Sequence, residues 1–304
     1  MTTPDRQVPR DAADRDRGPS PHPMTISSDS PALLGRRAGE AREIKFRVPL
    51  DRLDALSAAL AARLARDPHG EPHLEGDYRV ASLYFDTPDL EVYRRVGWHR
   101  FRKFRVRRYG GADAVFLERK TRLGDLVRKD RTPVALDELH RLAERDDDQP
   151  WIAGDFRRQL ARRALAPVAV IQYRRRAFYG AIDGGPSGGA LRVTIDRDAR
   201  GASTDGWSFG PRSAPVPLLV DTTPFPTSGS ARGTGAREFM LVEIKFTSGR
   251  TDHQTTAAIP GAIKRLIAEL GLGERGISKY RRCMRLLGPG SSPAESAPEV
   301  DDDA

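Results

Sequence analysis

The chain of 304 residues has a single cysteine, Cys283, which excludes an intrachain disulfide framework and every zinc or iron–sulfur site built from several cysteines. Asparagine is absent altogether, so N-glycosylation has no acceptor. No run of residues approaches the roughly 18 consecutive apolar positions of a membrane-spanning helix. The opening stretch MTTPDRQVPRDAADRDRGPSPHP lacks the apolar core of a secretory signal, so a cytoplasmic location is expected. Lysine is scarce: seven of the 51 basic residues, at positions 45, 103, 120, 129, 245, 264 and 279, the rest being arginine.

What is present is positive charge, unevenly placed. Residues 1–39 are rich in Pro, Ser, Asp and Arg without helical or strand periodicity, and residues 288–304 carry five acidic groups and no basic one. Neither segment can bury enough apolar area to offset chain entropy, so both are read as disordered tails around one folded domain at 40–287. The formal charge of the chain is +9; setting aside tails of +1 and −5 leaves +13 on the folded part. A body so basic points to a polyanionic partner.

Seven segments of that body alternate apolar and charged residues with period two, the signature of strands with one polar face. Glu43, Lys45 and Arg47 oppose Ile44, Phe46 and Val48. Lys103, Arg105 and Arg107 oppose Phe104 and Val106. Phe116, Glu118 and Lys120 share a face, as do Val127, Lys129 and Arg131, and Tyr173 with Arg175. Arg192, Thr194 and Asp196 oppose Leu191, Val193 and Ile195, while Glu243 and Lys245 oppose Val242, Ile244 and Phe246. Helical spacing of leucines predicts helices over 51–66, around 136–142 and around 156–165; Thr87-Pro88 predicts a short helix toward Tyr93, and Pro260 one that Gly271 ends. The tetrapeptide Glu-Ile-Lys-Phe occurs twice, at 43–46 and 243–246.

A charged strand face ordinarily looks into solvent. Here the amphipathic helices need an apolar surface to cover, and the faces of the Ile44, Phe46 and Val48 kind are what the strands offer. If helices cover those, the charged faces lie open on a broad sheet or converge inside a closed barrel. Five of the seven lysines fall on these faces, and a lumen holding so many cations is self-repelling unless a highly charged anion fills it. The expected fold is therefore α+β, an antiparallel β-barrel tunnel with a charged lumen and helices packed outside.

These segments resemble the VTC domain, a polyphosphate polymerase catalytic domain of the triphosphate tunnel metalloenzyme (CYTH-like) superfamily. The likeness is carried by Glu-Ile-Lys-Phe-Arg at 43–47, Ser-Leu-Tyr-Phe-Asp-Thr-Pro at 82–88, Arg-Val-Arg-Arg-Tyr-Gly at 105–110 and Phe-Leu-Glu-Arg-Lys at 116–120. It continues through Tyr-Arg-Arg-Arg-Ala-Phe at 173–178, Leu-Arg-Val-Thr-Ile-Asp at 191–196, Val-Glu-Ile-Lys-Phe at 242–246 and Ser-Lys-Tyr at 278–280. The resemblance implies transfer of the ATP γ-phosphate onto a growing polyphosphate chain inside the tunnel. By position it implies that Lys45, Arg105, Arg107, Lys120, Lys129, Arg175 and Lys279 act on the phosphates, with Arg47, Lys103, Tyr173, Arg192, Lys245 and Ser278 as further substrate contacts. It also implies a divalent cofactor, Mn²⁺ or Mg²⁺, on Glu243, with Glu118 and Glu43 as further candidate ligands. ATP and polyphosphate are the implied partners. With no spanning segment in the sequence, any membrane association is expected through a partner protein.

Hydrolytic and cyclase relatives open with a Glu-x-Glu-x-Lys pattern, whereas this chain has Lys45 at the second acidic position, which moves the reading toward the polymerase branch. Two other readings stand beside it: a triphosphatase or nucleotide cyclase of the same superfamily, and a non-enzymatic polyanion-binding module in which Trp98, Phe101, Phe104 and Tyr109 among arginines stack RNA bases. Nucleic acid is the less expected partner. Ser187 in a Gly-x-Ser-x-Gly pattern, the Gly271–Gly276 fingerprint and the pair His69 and His73 read as loop features rather than as catalytic, dinucleotide or zinc sites.

Overall fold

The alternating segments become strands of one antiparallel sheet in the computed structural model, which describes residues 41–123, 126–144, 150–182, 189–221, 237–247, 259–273 and 276–288, all within the unit Pro31–Ala304. The strands are β1 (Ala41–Pro49), β2 (Ala65–Arg66), β3 (Tyr78–Asp86), β4 (Arg102–Tyr109), β5 (Ala114–Leu123) and β6 (Leu126–Ala135), then β7 (Ala166–Ala181), β8 (Ala190–Ser203), β9 (Val216–Pro217), β10 (Val220–Asp221) and β11 (Arg237–Thr247). Eight close on themselves in the order β11, β1, β6, β5, β4, β3, β7, β8, with β8 returning to pair with β11. The expected barrel is present. The two tails proposed from the sequence lie outside the described residues, Gly288 apart, as does Ser187.

The repeated tetrapeptide has a structural meaning. Its two copies are antiparallel neighbours in β1 and β11, so that Glu43 faces Lys245, Lys45 faces Glu243 and Ile44 faces Ile244. Each copy supplies the opposite charge that the other needs directly across the ladder.

Apolar strand faces point outward and are covered in two halves. Helices α1 (Leu53–Ala61) and α4 (Gly261–Glu269) bring Leu56, Leu60, Ile263 and Leu266 onto Phe46, Val193, Ile195, Val242 and Ile244. On the other half, α3 (Gly154–Arg162) and a 3₁₀ turn at Asp137–Leu142 seat Phe156, Leu160, Leu139 and Leu142 over Phe85, Phe104, Val106 and Leu117. Each such side chain contributes about 1.5–3 kcal/mol when fully buried. The barrel is therefore held by its outer shells, which leaves the inner faces free to be polar.

Four expectations are corrected. The first helix stops at Ala61 rather than near 66, because Ala65 and Arg66 turn to pair with Tyr179 and Phe178 on β7. The Thr87-Pro88 helix is a single turn, α2 (Glu91–Arg94), and its free amides are met chiefly by Asp86. An eighth barrel strand, β3, went unread because both of its faces are almost wholly buried, which erases the alternation. Finally, Ser278-Lys279-Tyr280 opens a further helix, α5 (Lys279–Leu287), on which the buried Cys283 packs against Gly201 of β8. The i, i+3, i+4, i+7 spacing of Tyr280, Cys283, Met284 and Leu287 was the available signal.

The segment before α5 runs against β1. The amide of Gly276 donates to the Lys45 carbonyl at 2.8 Å, and a Cβ on Gly276 would stand 2.6 Å from the Lys45 Cβ and 3.0 Å from its carbonyl carbon. Gly276→Ala is expected to cost about 1–3 kcal/mol through this overpacking, read as a lowered urea midpoint at unchanged slope.

Candidate active site in the barrel interior

Alternation turns the charged faces of seven strands toward one another, and among the described residues the interior is organised around four carboxylates. Glu118 of β5 accepts from Arg105 Nε at 2.6 Å and lies 2.5 Å from Lys129 Nζ and 3.5 Å from Arg131 Nε. Glu43 of β1 is 2.9 Å from Lys45 Nζ, 3.1 Å from Lys120 Nζ and 3.2 Å from Lys245 Nζ. Lys245 also reaches Glu243 at 2.7 Å. Asp196 of β8 takes a bidentate pair from Arg175, at 2.6 and 2.8 Å, and the Lys279 ammonium at 2.5 Å. Lys279 enters from the first turn of α5 and lies 4.6 Å from the centre of the Tyr173 ring.

The remaining expected residues sit around these clusters. Arg107 is buried, and among the described residues its hydrogen-bond partners are hydroxyls, Ser82 at 3.2 Å and Tyr109 at 3.5 Å, with no carboxylate in ion-pair range. Arg192 donates to the Tyr78 hydroxyl at 3.0 Å and pairs with Asp67 at 3.6 Å. Lys103 donates to Ser278 Oγ at 3.3 Å, and the same oxygen caps α5 by accepting from the Arg281 amide. Arg47 shares the inward face of β1 but pairs with Asp221 and lies over Phe239, outside the three clusters. Of the sixteen residues singled out from the sequence, Arg47 and Arg192 pair with acids outside the four, Asp221 and Asp67; the others contribute to the three clusters, their surroundings or the α5 end. Asp196, Ser82, Tyr84 and Tyr78 were missed. Asp196 lay on an alternating charged face and could have been found; the β3 residues carried no such pattern.

Among the described residues, Lys45, Arg105, Lys120, Lys129, Arg131, Arg175, Lys245 and Lys279 share these four acids, and Arg107 stands beside them. Burial alone would raise the carboxyl pKa values, yet Arg105, Lys129 and Arg107 hold Glu118 well below the usual carboxylate range, and Lys120, Lys245 and Lys45 do the same for Glu43. The basic side divides: nearby acids and tyrosines raise Arg105, Arg107, Arg175 and Lys245 despite burial, whereas Lys129 falls. Burial, with Arg105 and Arg107 adding repulsion, brings Lys129 down to about 7 despite Glu118 beside it. Burial opposes ionisation of Tyr109, but Arg107, Arg131 and Lys129 outweigh it and lower its hydroxyl to about 7. Lys129 is enclosed by strands on every side yet keeps 31% of its side chain accessible, against 5% for Arg175, as expected where water enters a lumen.

The stacking platform considered for RNA is split by the fold. Phe104 points outward into the core against Phe156, whereas Tyr109 faces inward against Tyr78. Trp98 lies outside between the guanidiniums of Arg102 and Arg163. Adjacent strand residues face opposite sides, so the rings cannot share one surface.

For a divalent ion, no group of three or more His, Cys, Asp or Glu converges among the described residues. Glu43 and Glu243 do converge on one point, the Lys245 ammonium. Two carboxylates with phosphate oxygens and water completing the shell is a donor set that suits Mg²⁺ or Mn²⁺.

The family model of the VTC domain matches residues 40–288. The chain belongs to the VTC domain family. The resemblance read from its motifs is thus borne out over nearly the whole described part of the VTC domain. No curated protein matches it. Among solved structures, a proposed adenylyl cyclase from Hippeastrum, reported with a dominant triphosphatase activity, is 13% identical with a TM-score of 0.44, over 81% of this chain and 95% of that one. A proposed adenylate cyclase from Bacillus halodurans is 13% identical with a TM-score of 0.42, over 80% and 96%. One from Vibrio parahaemolyticus is 15% identical with a TM-score of 0.43, over 82% and 99%. These are distant likenesses and carry no functional weight here. Among the described residues no helix is long and apolar enough to cross a membrane.

Asp196 is the acid on which two elements, β7 and α5, depend. Asp196→Ala leaves Arg175 and Lys279 buried without their counter-charge and is expected to cost about 3–5 kcal/mol in urea unfolding at pH 7. Because Arg175 and Lys279 hold its pKa below that of the unfolded chain despite burial, the loss is full above pH about 4. It shrinks as pH falls further, and wild type and variant converge in acid.

Proposed function

We propose that this VTC domain is a polyphosphate polymerase that transfers the γ-phosphate of ATP to the end of a growing polyphosphate chain within its barrel. The observation that carries the reading is Arg107. Its guanidinium is buried yet held firmly charged by Tyr173 and Glu118 nearby, while its hydrogen bonds go to hydroxyls that an anion can replace. Condensed phosphate is an anion with enough charge, in linear form, to meet Arg107, Arg175, Lys120 and Lys129 together. Membership of the VTC family supports the same substrate class, as does Lys45 standing where hydrolytic relatives carry a second acid.

Phosphoryl transfer depends on alignment and charge neutralisation more than on covalent help from the protein. Arg105, Arg107 and Arg175 offer rigid planar donors for phosphate oxygens, while Lys45, Lys120, Lys129 and Lys245 supply mobile point charges. Their partners, carboxylates for all but the hydroxyl-bonded Arg107, hold them in place before substrate arrives, so little reorganisation is needed on binding. Glu243 with Glu43 would hold a divalent ion, which supplies charge neutralisation on phosphate oxygens when bound. The terminal phosphate oxygen of the chain forms the new bond to the γ-phosphorus in line as the bond to ADP breaks and ADP departs. That nucleophile is ionised near neutral pH, so no side chain is required as a general base. Lysine and arginine on the walls retain the product.

Purified protein given ATP, Mn²⁺ and a short polyphosphate primer is expected to yield long polyphosphate and an equivalent amount of ADP, resolved by gel and by phosphorus NMR. Release of orthophosphate or tripolyphosphate without polymer would assign a hydrolase instead. Arg107→Ala is expected to lower synthesis at least a hundredfold with the melting temperature little changed, since the hydrogen bonds it loses go to the Ser82 and Tyr109 hydroxyls and no ion pair is broken.

Triphosphate binding should also take up protons. Lys129 and Tyr109, both lowered to about 7, are driven back to their protonated forms by an adjacent polyanion. Affinity for tripolyphosphate therefore falls as pH rises from 7 to 9. Calorimetry at pH 8 in buffers of different ionisation enthalpy is expected to give a net uptake that Lys129→Met reduces by about half.

A further inference from the structure

Lys279 reaches the lumen from a helix rather than from a strand, and its placement depends on how α5 is held. Its neighbour Tyr280 is fully buried, and the Tyr280 hydroxyl donates to Asp86 Oδ2 at 2.5 Å. Asp86 is itself wholly buried at the end of β3, and its carboxylate also accepts from the amides of Thr87 at 2.7 Å, Val92 at 2.8 Å and Tyr93 at 2.9 Å. A carboxylate so held is a fixed point of the barrel. The Tyr280 ring lies against the Tyr84 ring, 5.0 Å between centroids and 16° from parallel, which fixes its plane as well.

Consecutive helix residues project about 100° apart, so fixing the direction of Tyr280 fixes that of Lys279. With Tyr280 tied to Asp86 on one side, Lys279 swings to Asp196 and Tyr173 on the other. The N-cap hydroxyl of Ser278 then meets Lys103. Nothing in the phosphate chemistry requires Asp86 or Tyr280 to touch substrate; both act at one remove.

We infer that Asp86 and Tyr280 are positioning residues of the phosphate site: the hydrogen bond between them sets the first turn of α5 so that the Lys279 ammonium is presented inside the barrel. This rests on the reading that the lumen binds condensed phosphate. It adds a clasp at the α5 end of the barrel that determines one of its cations.

The test is a double-mutant cycle on the full chain with inorganic tripolyphosphate as the probe, followed by calorimetry. Tyr280→Phe removes the hydroxyl and keeps the ring stacked on Tyr84. It is expected to weaken binding roughly five- to tenfold, the effect of losing one charge-assisted hydrogen bond. In a Lys279→Ala background the same change is expected to leave binding unaltered, while the drop in melting temperature persists in both backgrounds. An equal weakening with and without Lys279, or none in either, overturns the inference. Should Tyr280→Phe fail to fold, Asp86→Asn, isosteric but without the charge that Tyr280 donates to, serves in the same cycle with the same two outcomes. Failure of wild-type protein to bind tripolyphosphate would instead overturn the functional reading on which this one rests.

Discussion

Inward-facing positive charge in excess of its internal counter-charge is the constraint around which this protein is built. Arginines and lysines on the barrel strands share Glu43, Glu118, Asp196 and Glu243. Remove the acids and the cations would repel one another in a confined space of low dielectric; add many more and there would be no reason to take up an anion. Partial neutralisation gives a folded protein that remains attractive to a polyanion. Arg107 is the buried cation there whose hydrogen bonds go to hydroxyls, and Lys129 is lowered chiefly by its burial.

Such an interior is possible because stability is located elsewhere. In an ordinary small domain the apolar side chains meet in the middle. Here they form two shells between the strands and the helices that wrap them, and Leu60, Phe85, Phe104, Phe178 and Ile195 are all shielded from water on the outer side. Barrel closure then satisfies the backbone without placing an apolar plug in the lumen.

The sequence made much of this legible, and its failures are instructive. Period-two alternation located seven of the eight barrel strands, because a strand with one polar face and one apolar face cannot disguise its pattern. It missed β3, whose inward residues Tyr78, Ser82 and Tyr84 are as buried as its outward ones. It also missed α5, since arginines in Lys-Tyr-Arg-Arg-Cys-Met-Arg suggest a solvated segment, and the apolar stripe at Tyr280, Cys283 and Met284 shows only when read at helical spacing. Site residues on clean strands could be assigned to the lumen from alternation alone. Arg47 could not be separated from them, because its diversion to Asp221 depends on β10, a two-residue strand with no pattern of its own.

Placing the hydrophobic shells outside the strands has an evolutionary corollary. A side chain that points into the pore can change its charge, length or hydrogen-bonding capacity without any neighbour in those shells having to repack. Chemistry inside and architecture outside are written on alternate residues of the same strands. New catalytic specialities can therefore be tried one inward position at a time on an unchanged scaffold.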